Sequence, residues 1–213
     1  MKRVLIIGAG DLGQQIAHWI KSDNQYDVIG FVDDTIEMGV LINNLPILGD
    51  INSVEFLYTS NQFDELLIGV GYNHFDFREG LYNRFCDKIP FATYIHSTSY
   101  VDSTAKISPG CIVYPNCFID QSVHVKENVL INISTTLGHG CVIGPHSFIA
   151  AKVLIGGETT IGKKCMVGNG VTTVGHLKVC DNSTIGCGAV LLKNIIKPGV
   201  YLGNPAKLFS TNI

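Results

Sequence analysis

No stretch of about eighteen consecutive apolar residues occurs in this sequence, so no segment reads as a membrane-spanning helix and no membrane insertion is expected. Mean hydropathy is nevertheless +0.26. The excess comes from aliphatic residues spread at regular intervals, not from one apolar block. Charge of either sign is sparse: 15 Lys and Arg against 18 Asp and Glu give a net charge of -3. The basic residues are scattered, which leaves no stripe for a phosphate backbone and argues against nucleic acid as a partner. Seven cysteines are present but no CxxC pair, so neither a disulfide framework nor a structural zinc site is expected. No low-complexity segment and no proline-rich or charged linker interrupts the chain. Met1-Lys2-Arg3 followed by Val4 to Ala9 briefly looks like a secretory leader, but Asp11 ends the apolar stretch too early. The segment reads instead as a first strand, and a cytoplasmic location is expected.

What the sequence has in abundance is a period. Val101, Ile107, Val113, Ile119, Val125, Ile131, Leu137, Ile143, Ile149, Ile155, Ile161, Val167, Val179, Ile185 and Leu191 fall at steps of six, and only Thr173 breaks the aliphatic series. Four positions after each comes a small or modest side chain, as in Ala105, Cys111, Cys117, Thr135, Cys141, Ser147, Cys165, Ser183 and Ala189, with Leu177 the exception. The cysteines of this column read as small apolar side chains. Glycine often follows the aliphatic residue (Gly138, Gly144, Gly156, Gly162, Gly168, Gly186), which suits a chain that turns a corner every few residues. Short strands joined by tight corners stack into a β-helix stabilised by contacts between neighbouring coils.

The first hundred residues need another fold. Val4 to Ile7 leads into Gly8-Ala9-Gly10-Asp11-Leu12-Gly13, Gln14 to Ile20 has helical composition, and Val28 to Val32 ends in Asp33-Asp34. Strand, glycine turn, helix, strand and then an acid make the fingerprint of a dinucleotide-binding βαβ unit, which taken alone suggests NAD. The unit continues only through Leu45 to Asp50, a strand over Leu66 to Val70 and a helix from about Phe75 to Lys88, roughly half of a complete dinucleotide fold. The glycine turn by itself requires only that backbone approach a phosphate or that helix and strand pack closely. A nucleotide-like ligand without redox chemistry is the better reading. Residues 1–98 are therefore assigned to a small Rossmann-like α/β domain, and residues 99–213 to the β-helix with its C-terminal tail.

Three histidines of the repeat are candidates for chemistry: His139, His146 and His176. His139 is flanked by Gly138 and Gly140, so its ring has open space. An imidazole there can serve as a general base near neutral pH. The β-helical carbonic anhydrases bind zinc through three histidines, two of them separated by four residues. Here His139 and His146 are separated by six, and no metal is expected.

Both halves, in this order, resemble the hexapeptide-repeat sugar acyltransferases, the family of nucleotide-sugar 4-N-acetyltransferases and sialic acid O-acetyltransferases. The resemblance rests on Gly8-Ala9-Gly10 with Phe31-Val32-Asp33-Asp34, on Gly69-Val70-Gly71-Tyr72-Asn73, on Asn132 with Leu137-Gly138-His139-Gly140-Cys141-Val142-Ile143-Gly144, and on Gly203-Asn204-Pro205-Ala206-Lys207. It implies a left-handed parallel β-helix with three hexads to a coil, hence about five coils, and a homotrimer with acetyl-CoA, the cosubstrate, lying between adjacent subunits. It implies that His139 is the general base and that Asn132 lines the acceptor site. Phe148, Gly157, Asn169, Gly203 and Asn204 would lie along acetyl-CoA. Gly10, Asp11, Asp33, Asp34, Gly71, Tyr72 and Asn73 would hold the nucleotide sugar. Two positions depart from the family's pattern: relatives commonly carry an acid directly after the histidine, where this chain has Gly140, and some carry a histidine where this chain has Phe148. The implied activity is N-acetylation of a dTDP- or UDP-linked 4-amino-4,6-dideoxy sugar for a surface polysaccharide. Sugar O-acetylation, and NAD binding with the β-helix as a trimerisation scaffold, are the alternatives. His146 and His176 match no family position and are expected to be exposed.

Overall fold

The structure, a computed structural model, describes residues 1–211. It divides into two compact units between Tyr94 and Ile95. That is a few residues ahead of the 98/99 division, because the coil register is established before the first hexad: the His96 N–H donates to the Val113 carbonyl at 2.9 Å.

In the first unit, β1 (Arg3–Ile7), α1 (Asp11–Asp23), β2 (Asp27–Val32), a small hairpin of β3 (Leu41–Ile42) and β4 (Leu45–Pro46), α2 (Val54–Thr59), β5 (Glu65–Ile68) and α3 (Phe75–Phe85) follow in order. The parallel sheet runs β2-β1-β5 and is extended by single parallel bridges, Ile47 beside Phe31 and Phe91 beside Leu66. From β1 the chain winds outward one way to Ile47 and then returns to wind the other way to Phe91. The direction of winding reverses between β1 and β5, the crevice in which doubly wound sheets bind ligands. Val4, Leu5 and Ile6 of β1, with Leu66 and Leu67 of β5, are fully buried, as expected of parallel strands covered on both faces. α1 buries Gly13, Ile16, Ala17 and Ile20, one helical stripe, and ends at Asn24 in the left-handed conformation, whose N–H caps the Ile20 carbonyl.

The second unit is a parallel β-helix of three sheets. The first sheet has six strands, the second five and the third eight. In the strand Thr136–Leu137 the ladder residue Leu137 pairs with Ile119 below and Ile155 above, and its neighbours repeat that register. The ladder residues Ile119, Leu137, Ile155, Val125, Ile143, Ile161, Ile131, Ile149 and Val167 are all buried in the interior. The count of about five coils is exceeded, because coiling continues past Leu191. There the spacing shortens: the Lys178 N–H reaches Asn194 Oδ1, sixteen residues on, and Val179 bridges Ile195. The strand Lys207–Ser210 pairs antiparallel to Gly199–Leu202 and covers that edge.

The structure corrects the reason for the corner glycines. The residue that turns each corner in the left-handed conformation is the one before the small column, filled by Asn116, Ser122, Asn128, Ser134, His146 and Lys152 as readily as by Gly110 or Gly140. The glycines after the ladder residues serve close approach between coils. A Cβ on Gly144 would lie 2.4 Å from the Gly162 carbonyl carbon, and one on Gly156 would lie 2.6 Å from that of Val174.

The small column is also more than small. Ser99 Oγ donates to Tyr114 O (2.8 Å), Cys111 Sγ to Lys126 O (2.9 Å), Cys117 Sγ to Asn132 O (3.1 Å), Thr135 Oγ1 to Ala150 O (2.8 Å), Cys141 Sγ to Gly156 O (3.1 Å) and Ser147 Oγ to Gly162 O (2.8 Å). Thiol and hydroxyl share the column because each supplies a compact donor to a corner carbonyl that the strand ladder leaves open. Burial pushes the Cys165 thiol up to about 12, so it stays protonated, as a donor must. Thr173, the break in the aliphatic series, is buried, and its Oγ1 accepts the Gly156 N–H at 2.9 Å.

Ser147→Ala should therefore destabilise the protein by ~1–3 kcal/mol, since the Gly162 carbonyl loses its donor and the Cys165 N–H, 2.9 Å from Ser147 Oγ, loses its acceptor. Ser147→Cys should cost less. Urea denaturation midpoints with unchanged m-values check both, and a neutral Ser147→Ala would contradict the role given to the column.

Candidate active site

At the carboxyl ends of β1, β2 and β5, three loops converge. Gly8 turns with φ +97, and a Cβ on Gly13 would lie 1.9 Å from the Gly8 carbonyl oxygen, so these two glycines serve the turn and the helix packing. Gly69 is likewise constrained, since its Cβ would lie 2.6 Å from the Gly13 Cα. Gly10 and Gly71 are different: neither has positive φ, and a Cβ on either would meet nothing within 4 Å. They face open space at the starts of α1 and of the turn Tyr72–His74. Asp11, Tyr72 and Asn73 are exposed beside them.

Asp33 and Asp34 hold the loops. Asp33 Oδ2 accepts the Ala9 N–H at 2.9 Å, and its Oδ1 accepts both the N–H (2.9 Å) and the hydroxyl (2.6 Å) of Thr35. Although burial opposes it, these bonds keep the Asp33 carboxyl below its usual value. Asp34 Oδ1 accepts the Ile51 N–H at 2.8 Å. In an NAD site the acid at the end of the second strand is turned to a ribose; here Asp33 is turned to the glycine loop. Two features escaped the sequence reading. Arg78 of α3 is buried and donates to the Val70 carbonyl at 2.5 Å, fixing the loop that carries Gly71. A cleft of about 720 Å³, lined in part by Gln14, His18, Lys21, Asn43 and Leu45, adjoins the glycine turn, and Gln14 Nε2 donates to the Ala9 carbonyl at 2.9 Å.

In the β-helix, His139 stands at the corner that follows the strand Thr136–Leu137 of the first sheet. Its side chain is 54% exposed. The ring lies against Gly157 one coil on, where a Cβ would sit 2.6 Å from Nε2. Nδ1 faces Glu158, with Oε1 at 3.7 Å, and the Glu158 N–H donates to the His139 carbonyl at 2.8 Å. The nearest thiol, Cys141, is buried, committed to the Gly156 carbonyl and pushed up by desolvation, which removes it as a nucleophile.

The other predicted residues occupy other parts of the prism. Asn132 follows a strand of the third sheet, half-buried, with Oδ1 accepting the Ile133 N–H at 2.7 Å. Asn169 lies further along that edge and accepts the Ala151 N–H at 3.0 Å. Gly203 and Asn204 are exposed after the strand Gly199–Leu202. Phe148 is a strand residue of the third sheet, buried between Leu130 and Met166 in the pairing. Within one chain, then, the first sheet separates Asn132 and Asn169 from His139 and Gly157. The expectation for His146 is overturned: it is 4% exposed, and Asn128 Nδ2 lies 3.0 Å from its Nδ1, the amide donating to the ring nitrogen. It occupies the left-handed corner position, φ 60, where its side chain stacks on the residue one coil below. His176 is exposed. Among the described residues no group of three or more His, Cys, Asp or Glu is arranged to hold a metal ion.

Comparison with known proteins agrees with the fold of both units. Residues 92–204 match the GMPPB C-terminal domain and residues 3–85 match the PglD N-terminal domain. The acetyltransferase domain of PglB from Neisseria gonorrhoeae FA1090 is 25% identical, with a TM-score of 0.89 over 98% of this chain and 100% of that one. The same domain in complex with acetyl coenzyme A gives 25% and 0.87, over 98% and 99%. A GDP-perosamine N-acetyltransferase from Caulobacter crescentus, in complex with CoA and GDP-perosamine, shares the fold at 18% identity, with a TM-score of 0.90 over 99% and 98%. No helix among the described residues is long and apolar enough to cross a membrane. With a PglD-type first domain and a GMPPB-type β-helix, the chain belongs to the hexapeptide-repeat sugar acyltransferases.

Proposed function

We propose that this protein transfers the acetyl group of acetyl-CoA to the 4-amino group of a nucleotide-linked 4-amino-4,6-dideoxy sugar, in a cytoplasmic step toward a surface polysaccharide such as O-antigen. The observation that carries this reading is the half-exposed His139 ring resting on Gly157, in a chain whose two domains together resemble an acetyltransferase that binds acetyl coenzyme A. The free amine attacks the thioester carbonyl and forms the amide bond. His139 takes the proton the nitrogen must lose, the C–S bond breaks, and CoA leaves as the thiol once reprotonated. Attack is direct, since Cys141 is protonated and turned inward.

In the first domain, the open loops at Gly10 and Gly71 receive the nucleotide sugar, with Asp11, Tyr72 and Asn73 around it. The Asp11 carboxylate suits a sugar hydroxyl better than a phosphate, because like charges at one helix start repel. Asp33 and Asp34 act mainly by shaping the pocket, though each carboxylate keeps acceptor capacity for one ligand contact.

The active unit is a homotrimer with acetyl-CoA in a cleft shared by two subunits. His139 and Gly157 lie along one edge of the first sheet, and Asn132, Asn169, Gly203 and Asn204 along the other. A cleft using both sets needs a second copy. The outward row between those edges carries exposed apolar side chains: Tyr100 (53% exposed) stacks on Phe118 (44%) at 5.0 Å, and beyond Thr136 comes Leu154 (45%). Such a patch marks an interface.

Four results are expected. Release of CoA thiol should occur with a dTDP-, UDP- or GDP-linked 4-amino sugar and not with its 4-hydroxy analogue, and His139→Ala should lower turnover at least ~10²-fold with acetyl-CoA affinity near wild type. Activity on sialic acid would establish O-transfer instead, and micromolar NAD binding without acetyl-CoA binding would establish the scaffold reading. Gly157→Ala should lower turnover at least ~10-fold with little change in Tm, because its methyl would displace the His139 ring from its rest. Tyr100→Glu/Phe118→Glu should convert a trimer to monomer in light scattering and abolish activity. A fully active monomer would refute the shared cleft.

A further inference from the structure

We propose that Glu158 is the positioning carboxylate for His139, supplied from the next coil to a base whose sequence neighbour, Gly140, has no side chain. The inference rests on the reading of His139 as the base. Gly140 and Glu158 are the corner residues of consecutive coils, both in the left-handed conformation (φ +66 and φ +57), so they stack. A Cβ on Gly140 would lie 2.5 Å from Glu158 Oε1, 2.7 Å from Cδ and 3.0 Å from Oε2: the carboxylate occupies the space that a side chain at 140 would take.

Backbone geometry does not account for the glycine. Ser122 one coil below and His176 one coil beyond Glu158 fill the same corner position with φ 58 and φ 60, so this corner accepts side chains in the other coils. What sets position 140 apart is that the Glu158 carboxylate lies over it, aimed at His139 Nδ1 from 3.7 Å.

A carboxylate at Nδ1 does two things for a general base. It holds the proton on Nδ1, which leaves the Nε2 lone pair to accept from the substrate, and it stabilises the imidazolium formed when that proton arrives. The separation of 3.7 Å is an ion-pair distance just beyond hydrogen-bond range, and contacts of this kind shorten when a site is loaded. An ornamental ion pair between side chains 54% and 53% exposed would contribute next to nothing to folding, so turnover and stability separate the two roles.

The test compares four variants of the full chain with the same acetyl-CoA and amino-sugar assay. Glu158→Gln should lower kcat ~10- to 100-fold with both KM values within about threefold and Tm unchanged, and Glu158→Asp should retain part of the lost rate. The exchange Gly140→Glu/Glu158→Gly, which returns the acid to the position after the histidine, should recover at least ~10-fold over Glu158→Gly alone. If His139→Ala is inactive while Glu158→Gln keeps wild-type kcat, the proposal is overturned and the base assignment survives. A folded exchange variant no faster than Glu158→Gly also overturns it. If His139→Ala stays active, the base assignment itself falls.

Discussion

The bond on which the rest depends is the one between coils. Each two-residue strand can form few hydrogen bonds on its own, so the β-helix is held by a backbone ladder from every strand to the coil above and by the side-chain donors that close its corners. The Thr135 hydroxyl shows both halves of the device: it donates to the Ala150 carbonyl and accepts the Val153 N–H, tying two consecutive coils through one buried oxygen. Because these bonds fix the stacking without slack, a residue and its neighbour eighteen positions on are held in contact. That rigidity brings Gly157 under the His139 ring and Glu158 beside it.

The corner proposed as the active site lies where the repeat relaxes its own rule. Gly138 and Gly156 allow consecutive coils to approach closely, while Gly140 and Gly157 clear space for a carboxylate and an imidazole. Thr173 sits at the same edge, and its hydroxyl takes the Gly156 N–H where the other coils use a backbone carbonyl. A solenoid built of identical coils would have no distinctive corner. A short run of exceptions within an otherwise uniform ladder makes one corner chemically different from the rest.

The first domain follows a separate logic. Its parallel sheet needs both faces covered, and its winding order opens a crevice between β1 and β5. The glycines of its first loop divide by role: Gly8 and Gly13 satisfy the fold, and Gly10 leaves open space beside it. Asp33, which the dinucleotide fingerprint would assign to a ribose, is drawn back to the Ala9 N–H. A shared fingerprint therefore positions a loop without deciding what the loop binds.

The amino-acid sequence by itself determined the β-helix, the Rossmann-like first domain and the prominence of His139, because periodicity of six and a strand-glycine-helix succession are local patterns that survive without coordinates. Gly157 came with the family resemblance, whose three hexads to a coil stack residues eighteen apart. The sequence reading misjudged the corner glycines and His146, and it placed the column cysteines in the core without their hydrogen bonds, all of which depend on which way a side chain turns within a coil. Only the tertiary structure decided that the acid missing beside His139 is present one coil on, that Asp33 serves a turn, and that the predicted residues lie along two edges of one prism. The physical reason is common to all three: hydrogen bonds and side-chain contacts join residues distant in the chain, and their partners are chosen by packing that no local pattern encodes.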